Sequence, residues 1–354
     1  MSDQNSFTRI VLFILLIVSL FAIAFVLGSL LGYDQNAWVQ TKGPTNGFIN
    51  SLGIDPTNPD ILYATDEEGR IFKTTDKGNT WKEVSAGEIM HTFSDELIVS
   101  PHDPENIWSV DGVANVFETT NGGSTWSQII DPYGDGFRFG SVYAIAPAPS
   151  DPDTIYAFKN GFGIFKSIDG GGSWLFLDPS EVDYSYSIAV DPTNPDIVYS
   201  GYNPKQSQDW AMVRQTTDGG DSWRTSLMVP HSNGITSVAI DPNNPETIYA
   251  GSRGEVGEIY KSVDRGNSWS KLNEHFTMCT VWGQPQLIVD PNDTSIAYVA
   301  TWLGGTWKTT DEGETWTLLR DAPVSSTALS LNLVNSNIIY SADRTEPKLW
   351  KTTN

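Results

Sequence analysis

The chain carries 21 Lys and Arg against 43 Asp and Glu over 354 residues, a formal net charge of -22. Residues 1–32 contain one Asp and one Arg, so the excess lies wholly on the remainder, a surface that repels nucleic acid and anionic headgroups and favours basic partners. The single Cys279 excludes an intramolecular disulfide and leaves the fold to its core.

Residues 1–9 form a polar tail, and Ile10 to Leu31 is an uncharged apolar run. As a helix this run spans roughly 33 Å, enough to cross a bilayer core. No Cys follows it, which excludes a lipoprotein anchor, and its length suits an uncleaved signal anchor over 10–32 better than a cleaved signal peptide. Arg9 ahead of the run and Asp34 behind it place the N-terminus in the cytoplasm and residues 33–354 outside, on a single-pass protein of the cell membrane.

Beyond residue 37 one pattern recurs, Ser/Thr-x-Asp/Asn-x-Gly-x-Ser/Thr-Trp. It stands at Thr74 to Trp81, Thr119 to Trp126, Ser167 to Trp174, Thr216 to Trp223, Ser262 to Trp269 and Thr309 to Trp316. The six tryptophans are 45, 48, 49, 46 and 47 residues apart, a period of one propeller blade per repeat. In each box the Gly takes a backbone conformation that a Cβ disfavours. The third residue (Asp76, Asn121, Asp169, Asp218, Asp264, Asp311) accepts hydrogen bonds from its own turn, and the Trp buries its ring between sheets. A residue present in every repeat encodes packing, so none of these carboxylates is expected to be catalytic.

Alternating apolar and polar residues, β-branched side chains and regular turns predict four antiparallel strands per repeat. A first strand such as Ser187 to Val190 ends in Asp-Pro-x-Asn-Pro, seen at 55–59, 191–195 and 241–245, with shorter forms at Asp103-Pro104, Asp151-Pro152 and Asp290-Pro291. The second strand reads Ile-x-Tyr-Ala/Ser, as in Ile248 to Ala250, the third reads as Ile71-Phe72-Lys73, and the box links third to fourth. Residues 327–354 supply three further strands and stop half-way through a box at Thr352-Thr353-Asn354, while Asp34 to Val39 resembles the other half. The expectation is an all-β, seven-bladed propeller over 33–354, its ring closed by Trp38 to Thr41 pairing beside Pro347 to Thr352.

Four antiparallel strands put the Asp-Pro turns and the boxes on one face of the disc, and the second-to-third and interblade loops on the other. The second face varies most and is where function is expected. Its longest segments, with the insertion over 202–210, carry Met90, His91, Phe93, Tyr133, Phe137, Arg138, Phe139, Tyr202, Trp210, His275, Met278, Trp282 and Trp302. Among them stand Asp131, Asp135, Asp183, Glu274 and Asp321, the candidates if a carboxylate does chemistry. Aromatic faces among carboxylates suit sugar rings or basic, aromatic peptide segments. Asp131 to Gly136 lacks a full calcium ligand series, and there is no zinc spacing, phosphate-binding loop or nucleophile elbow, so no metal or cofactor is expected.

The boxes resemble the Asp-box, or bacterial neuraminidase, repeat shared by sialidases, sortilin-type receptors, xyloglucanase-type glycoside hydrolases and the photosystem II assembly factor family. The resemblance covers almost everything after residue 37 and implies the fold. For activity it implies several things at once. The early Arg-Ile-Pro motif and arginine triad of sialidases have no counterpart here. Ala300 to Trp307 is similar in style to the xyloglucanase type, which sets a cleft between two propellers, and the assembly factors share a single seven-bladed plan. The reading is a binding or assembly module for a protein or glycan partner, with a glycoside hydrolase acting on an extracellular polysaccharide as the alternative.

Overall fold

The computed structural model describes residues 38–352 apart from 45–46, 86–93, 112–115, 130–141, 160–161, 179–183, 204–209, 254–256, 274–285, 302–303, 320–321, 324, 344–345 and 347. The apolar run over 10–31 therefore lies outside the described residues. Among those described, no helix is long and apolar enough to cross a membrane.

Seven four-stranded sheets make the propeller. In the first, β2 (Ile49–Ile54), β3 (Leu62–Asp66), β4 (Ile71–Thr74) and β5 (Lys82–Glu83) lie side by side in chain order, each antiparallel to the next. Five more sheets repeat this plan, and the first strands of successive sheets pack on one another around the axis. The seventh sheet takes three strands from 326–352 and one from the other end. Its β1 (Trp38–Gln40) runs antiparallel to β28 (Lys348–Thr352), with Trp38 opposite Thr352 and Gln40 opposite Trp350. Thr41 extends the pairing through its amide and its hydroxyl, which both donate to the Leu349 carbonyl, at 2.8 and 3.1 Å.

The second strand is buried along its whole length in the first, third, fourth, sixth and seventh sheets, and in the fifth up to Arg253 at its end, because sheets press on both its faces. Apolar clusters therefore run between sheets. Tyr63 and Ile71 of the first pack with Leu97, Ile107, Phe117 and Trp126 of the second. Each such aliphatic side chain contributes about 1.5–3 kcal/mol on burial.

Two sets of bonds sew neighbouring sheets together, and neither is visible in the strand pattern. The first strands bulge by one residue, between Ile49 and Ser51, Ser94 and Glu96, Ser185 and Ser187, and Ile235 and Ser237, among others. The side chain after the bulge then accepts an amide of the next sheet. Leu97 donates to Ser51 Oγ at 3.0 Å, Ile145 to Glu96 Oε2 at 2.9 Å, Val238 to Ser187 Oγ at 2.9 Å and Leu287 to Ser237 Oγ at 3.1 Å.

The second set joins strands to boxes. The Tyr199 hydroxyl donates to the Arg265 carbonyl at 3.1 Å, Tyr249 to Glu312 at 3.1 Å, and Tyr340 of the seventh sheet to Lys77 of the first at 3.4 Å. Lys261 and Lys351 reinforce the last two, at 2.9 and 3.0 Å from the same carbonyls. These carbonyls are exposed to donors because the fourth box residue is left-handed, with φ of 61° at Lys77, 57° at Arg265 and 56° at Glu312. The sequence pattern assigns that conformation to the box Gly alone. The turn in fact needs two consecutive left-handed residues, and it holds a non-glycine at the first of them in three boxes.

Candidate functional site

The two faces of the propeller differ in what their polar groups are free to do. On the box face, Asp76 Oδ1 accepts from the Thr74 hydroxyl and the Thr80 amide, both at 2.8 Å, and Oδ2 accepts from the Thr80 hydroxyl at 2.6 Å. The same three contacts recur at Asp169, Asp218, Asp264 and Asp311, and Asn121 makes the amide version with Thr119 and Thr125. Donation from the seventh-position hydroxyl and amide holds the Asp76, Asp218 and Asp264 carboxyls down at about 2. Asp169 is lowered for the same reason, and at Asp311 partial burial opposes the donors without overcoming them. An anion whose two oxygens are both occupied is a poor general acid or base near neutral pH, so this geometry makes the boxes structural.

The turns sit beside the boxes. The left-handed residue of each box donates its amide to a turn carbonyl of its own sheet: Lys77 to Asp60, Gly122 to Glu105, Gly170 to Asp153, Gly219 to Asp196, Arg265 to Glu246 and Glu312 to Ser295, at 2.9–3.0 Å. Trp81 and Trp174 cap their own boxes, their indole nitrogens donating to the Gly78 and Gly171 carbonyls at 3.2 and 3.1 Å. Trp126 and Trp269 reach the preceding sheet at Val84 and Ser226 instead. Trp223 and Trp316 are half-buried in the intersheet clusters.

On the opposite face, Asp131, Asp135, Asp183, Glu274 and Asp321 lie outside the described residues, as do His91, Phe93, Tyr133, Phe137, Arg138, His275, Trp282 and Trp302. Tyr202 and Trp210 are described, and they part company. Tyr202 is 0% exposed and meets Phe158 edge-on, centroids 5.9 Å apart at 87°, inside the cluster between the third and fourth sheets. Its expected place on a binding surface is corrected: the ring is core and offers no stacking face. Trp210 is half-buried at the start of β16 (Trp210–Thr216), opposite Pro230 of β17 (Arg224–Pro230). Next to that pair, Met212 faces Met228, which is 56% exposed.

Tyr202 also marks a position that sequence reasoning passed over. Three residues after the second-strand aromatic, where that strand leaves the sheet on this face, stand Asp66, Lys159, Tyr202, Ser252, Thr301 and Asp343, all buried. The box face repeats one chemistry, whereas this ring changes residue from sheet to sheet. Asp66 is held by Arg70, with its Nε at 2.8 Å and a terminal nitrogen at 2.6 Å, and by the amides of Glu68 and Arg70 at 3.0 and 2.9 Å. Lys159 lies over the ring of Phe162 at 4.5 Å, and Phe162 is 44% exposed. Carboxylates in the seventh and first sheets and an ammonium in the third are buried in this ring. The signal was readable as a polar residue at a constant offset from Ile-x-Tyr. Among the described residues, no three His, Cys, Asp or Glu side chains come together to hold a metal.

The link from the fourth sheet to the fifth, 230–234, is a tight loop of this face. His231 is exposed with φ 55°, the Asn233 amide donates to the Arg253 carbonyl at 2.8 Å, and Ser232 Oγ donates to the same carbonyl at 3.0 Å. Gly234 is required there, because a Cβ would fall 1.2 Å from Asn203 Oδ1.

No family model matches the chain. A curated xyloglucanase of Acetivibrio thermocellus is 38% identical over 73 residues, 19% of this chain and 9% of its own length. Among solved structures, YCF48 from Cyanidioschyzon merolae superimposes with a TM-score of 0.66 at 16% identity, covering 89% of this chain and 98% of that one. YCF48 bound to D1 peptide gives 0.64 at 15%, covering 91% and 98%. The GH74 xyloglucanase of Xanthomonas campestris gives 0.59 at 17%, covering 79% of this chain and 54% of the enzyme. The likeness is one of fold. It places the chain among seven-bladed propellers that include both YCF48 and GH74 xyloglucanases, and the chain spans only a small part of the curated enzyme it matches.

Proposed function

We propose that this protein is a membrane-anchored Asp-box propeller, held outside the cytoplasm by residues 10–31, whose variable face binds an extended segment of a protein partner or a glycan. The observation that carries this reading is the match along 98% of a propeller whose structure is bound to a peptide. The box geometry shared by five Asp and, in its amide version, by Asn121 supports membership of the Asp-box repeat, and the pairing of β1 with β28 supports a ring closed by the N-terminal strand. The exposed Met228 and Phe162 and the half-buried Trp210 supply apolar contact on the same face as the mixed-charge ring, a pairing that suits polypeptide or sugar more than a small metabolite.

The test is binding against turnover with the purified full chain. Immobilised protein should retain peptides or glycan oligosaccharides from a panel, and Trp210→Ala should weaken that retention. Xyloglucan, β-glucans and sialosides should pass without hydrolysis.

The glycoside hydrolase reading is favoured by one observation, the 73-residue stretch at 38% identity to a xyloglucanase. It requires two carboxyl groups about 5 to 9.5 Å apart across the scissile bond, drawn from Asp131, Asp135, Asp183, Glu274 and Asp321. Sustained xyloglucan hydrolysis abolished by one of those five substitutions to Ala would replace the binding reading with the enzymatic one.

A further inference from the structure

The sequence sets glycine directly after asparagine four times. Two of the pairs, Asn121-Gly122 and Asn233-Gly234, are described, whereas Asn46 and Asn160 lie outside the described residues. Such a pair carries its own reaction. The nitrogen of a glycine, unhindered by a Cβ and free to turn, can close on the side-chain carbonyl carbon of the asparagine before it. Both described asparagines are exposed, so access to water does not separate them. Their hydrogen bonds do.

Asn121 stands at the third position of a box. Its Oδ1 accepts from the Thr119 hydroxyl and the Thr125 amide, both at 2.9 Å, its Nδ2 donates to the Thr125 hydroxyl at 2.8 Å, and the Gly122 amide donates to the Glu105 carbonyl at 2.9 Å. The side-chain amide and the attacking nitrogen are both held. Asn233 stands in the 230–234 link, directly ahead of β18 (Gly234–Ile240). Its backbone amide donates to the Arg253 carbonyl at 2.8 Å, but its side chain makes no hydrogen bond to a described residue. The Gly234 amide donates to Ser232 Oγ at 3.3 Å, a longer bond than Gly122 makes.

We propose that Asn233 is a site of spontaneous modification in the folded protein, converting to aspartate and isoaspartate through a cyclic imide with Gly234, while the box protects Asn121. The Gly234 nitrogen bonds to Cγ of Asn233, the Cγ–Nδ2 bond breaks, and Nδ2 leaves as ammonia with the proton that the Gly234 amide gives up. Water then opens the ring. Opening at Cγ gives aspartate, and opening at the backbone carbonyl gives isoaspartate, whose main chain runs through the former side chain and is one methylene longer. Water is the only co-reactant. Either product adds a carboxylate to a loop of the variable face, on a chain whose charge already favours basic partners. The isoaspartate also displaces the start of β18, where Gly234 lies so close to Asn203 that a Cβ would fall 1.2 Å from its Oδ1.

The experiment follows the purified full chain in mildly alkaline buffer by peptide-resolved mass spectrometry. It reads the mass gained when the side-chain amino group is exchanged for hydroxyl, and enzymatic methylation of isoaspartate separates the two products. In the folded protein Asn233 should convert at least about tenfold faster than Asn121, because three side-chain bonds of ordinary strength must break before Asn121 can react. In denaturant the two should convert at similar rates. Asn233→Gln should abolish the gain at that position and leave the slow conversion of Asn121 as it was. Equal rates at the two positions in the folded protein, or an Asn233 that converts only once the chain is unfolded, would overturn the proposal. A gain in the same peptide that persists in Asn233→Gln would overturn it likewise, by placing the reaction at another residue.

Discussion

The box face and the opposite face are built by the same 28 described strands, yet they solve different problems. On the box face, one arrangement of hydroxyl, carboxylate, glycine and tryptophan is stamped five times, and a sixth with Asn121 for the carboxylate, and every described box carboxylate spends both oxygens on its own turn. On the opposite face, the equivalent position at the end of the second strand is Asp, Asp, Lys, Tyr, Ser, Thr and Asp from the first sheet to the seventh. Uniform chemistry there is packing; variable chemistry on a uniform scaffold is what partner choice requires.

That contrast predicts how substitutions should sort. The largest effect belongs to the core that both faces share. Phe158 is 0% exposed between the third and fourth sheets, and Phe158→Ala should cost about 3–5 kcal/mol in equilibrium denaturation. A loss under 1 kcal/mol would mean that the sheets do not pack as described.

Next comes the box. Ser262 donates to Asp264 and accepts the buried Gly266 amide at 2.8 Å, so Ser262→Ala should leave that amide unpaired and destabilise by about 1–3 kcal/mol without touching partner retention. Loss of binding at unchanged stability would erase the distinction between the faces.

Acid titration addresses the boxes together. Their carboxyls at Asp76, Asp218 and Asp264 fall from 3.8 to about 2 on folding, so the folded state binds fewer protons than the unfolded state between those values. Their contribution is fully present above about pH 4 and is lost as pH falls toward 2. Stability measured from pH 6 to 2.5 should therefore decline below pH 4, and Asp218→Asn, which copies the natural Asn121, should flatten the slope. A slope unchanged by that substitution would remove the box carboxylates from the account.

The smallest effect on stability is expected on the variable face. Met228→Ala, at a 56% exposed position, should stay within about 0.5 kcal/mol of wild type while reducing partner retention. A large stability loss there would show that the face is structural too.

The fold was legible because its signals are local and repeated. The period of the tryptophans marked one blade per repeat, the complementary half-boxes at the two ends gave the seventh, and the Ile-x-Tyr and Asp-Pro strings marked strand and turn. What holds the sheets to each other was not legible. The bulge that presents Ser51 to the Leu97 amide, and the left-handed Lys77 whose carbonyl takes Tyr340, depend on contacts 46 and 263 residues apart in sequence. Tyr202 failed as a binding candidate because polarity and aromaticity do not say which side of a strand a ring faces. Its register opposite Ser185 and its contact with Phe158 decide that. The second-strand exit ring was in the sequence at a fixed offset, but without burial it does not separate from ordinary polar loop ends.

The most direct measurement is site-specific photo-crosslinking of the full chain in its native cells, with the photoreactive residue placed at Phe162, Trp210 or Met228 on one face, or at Ile168, Asn267 or Glu314 on the other. The account predicts discrete crosslinked species from the first three positions and none from the second three. Crosslinks confined to the box-face positions would contradict it.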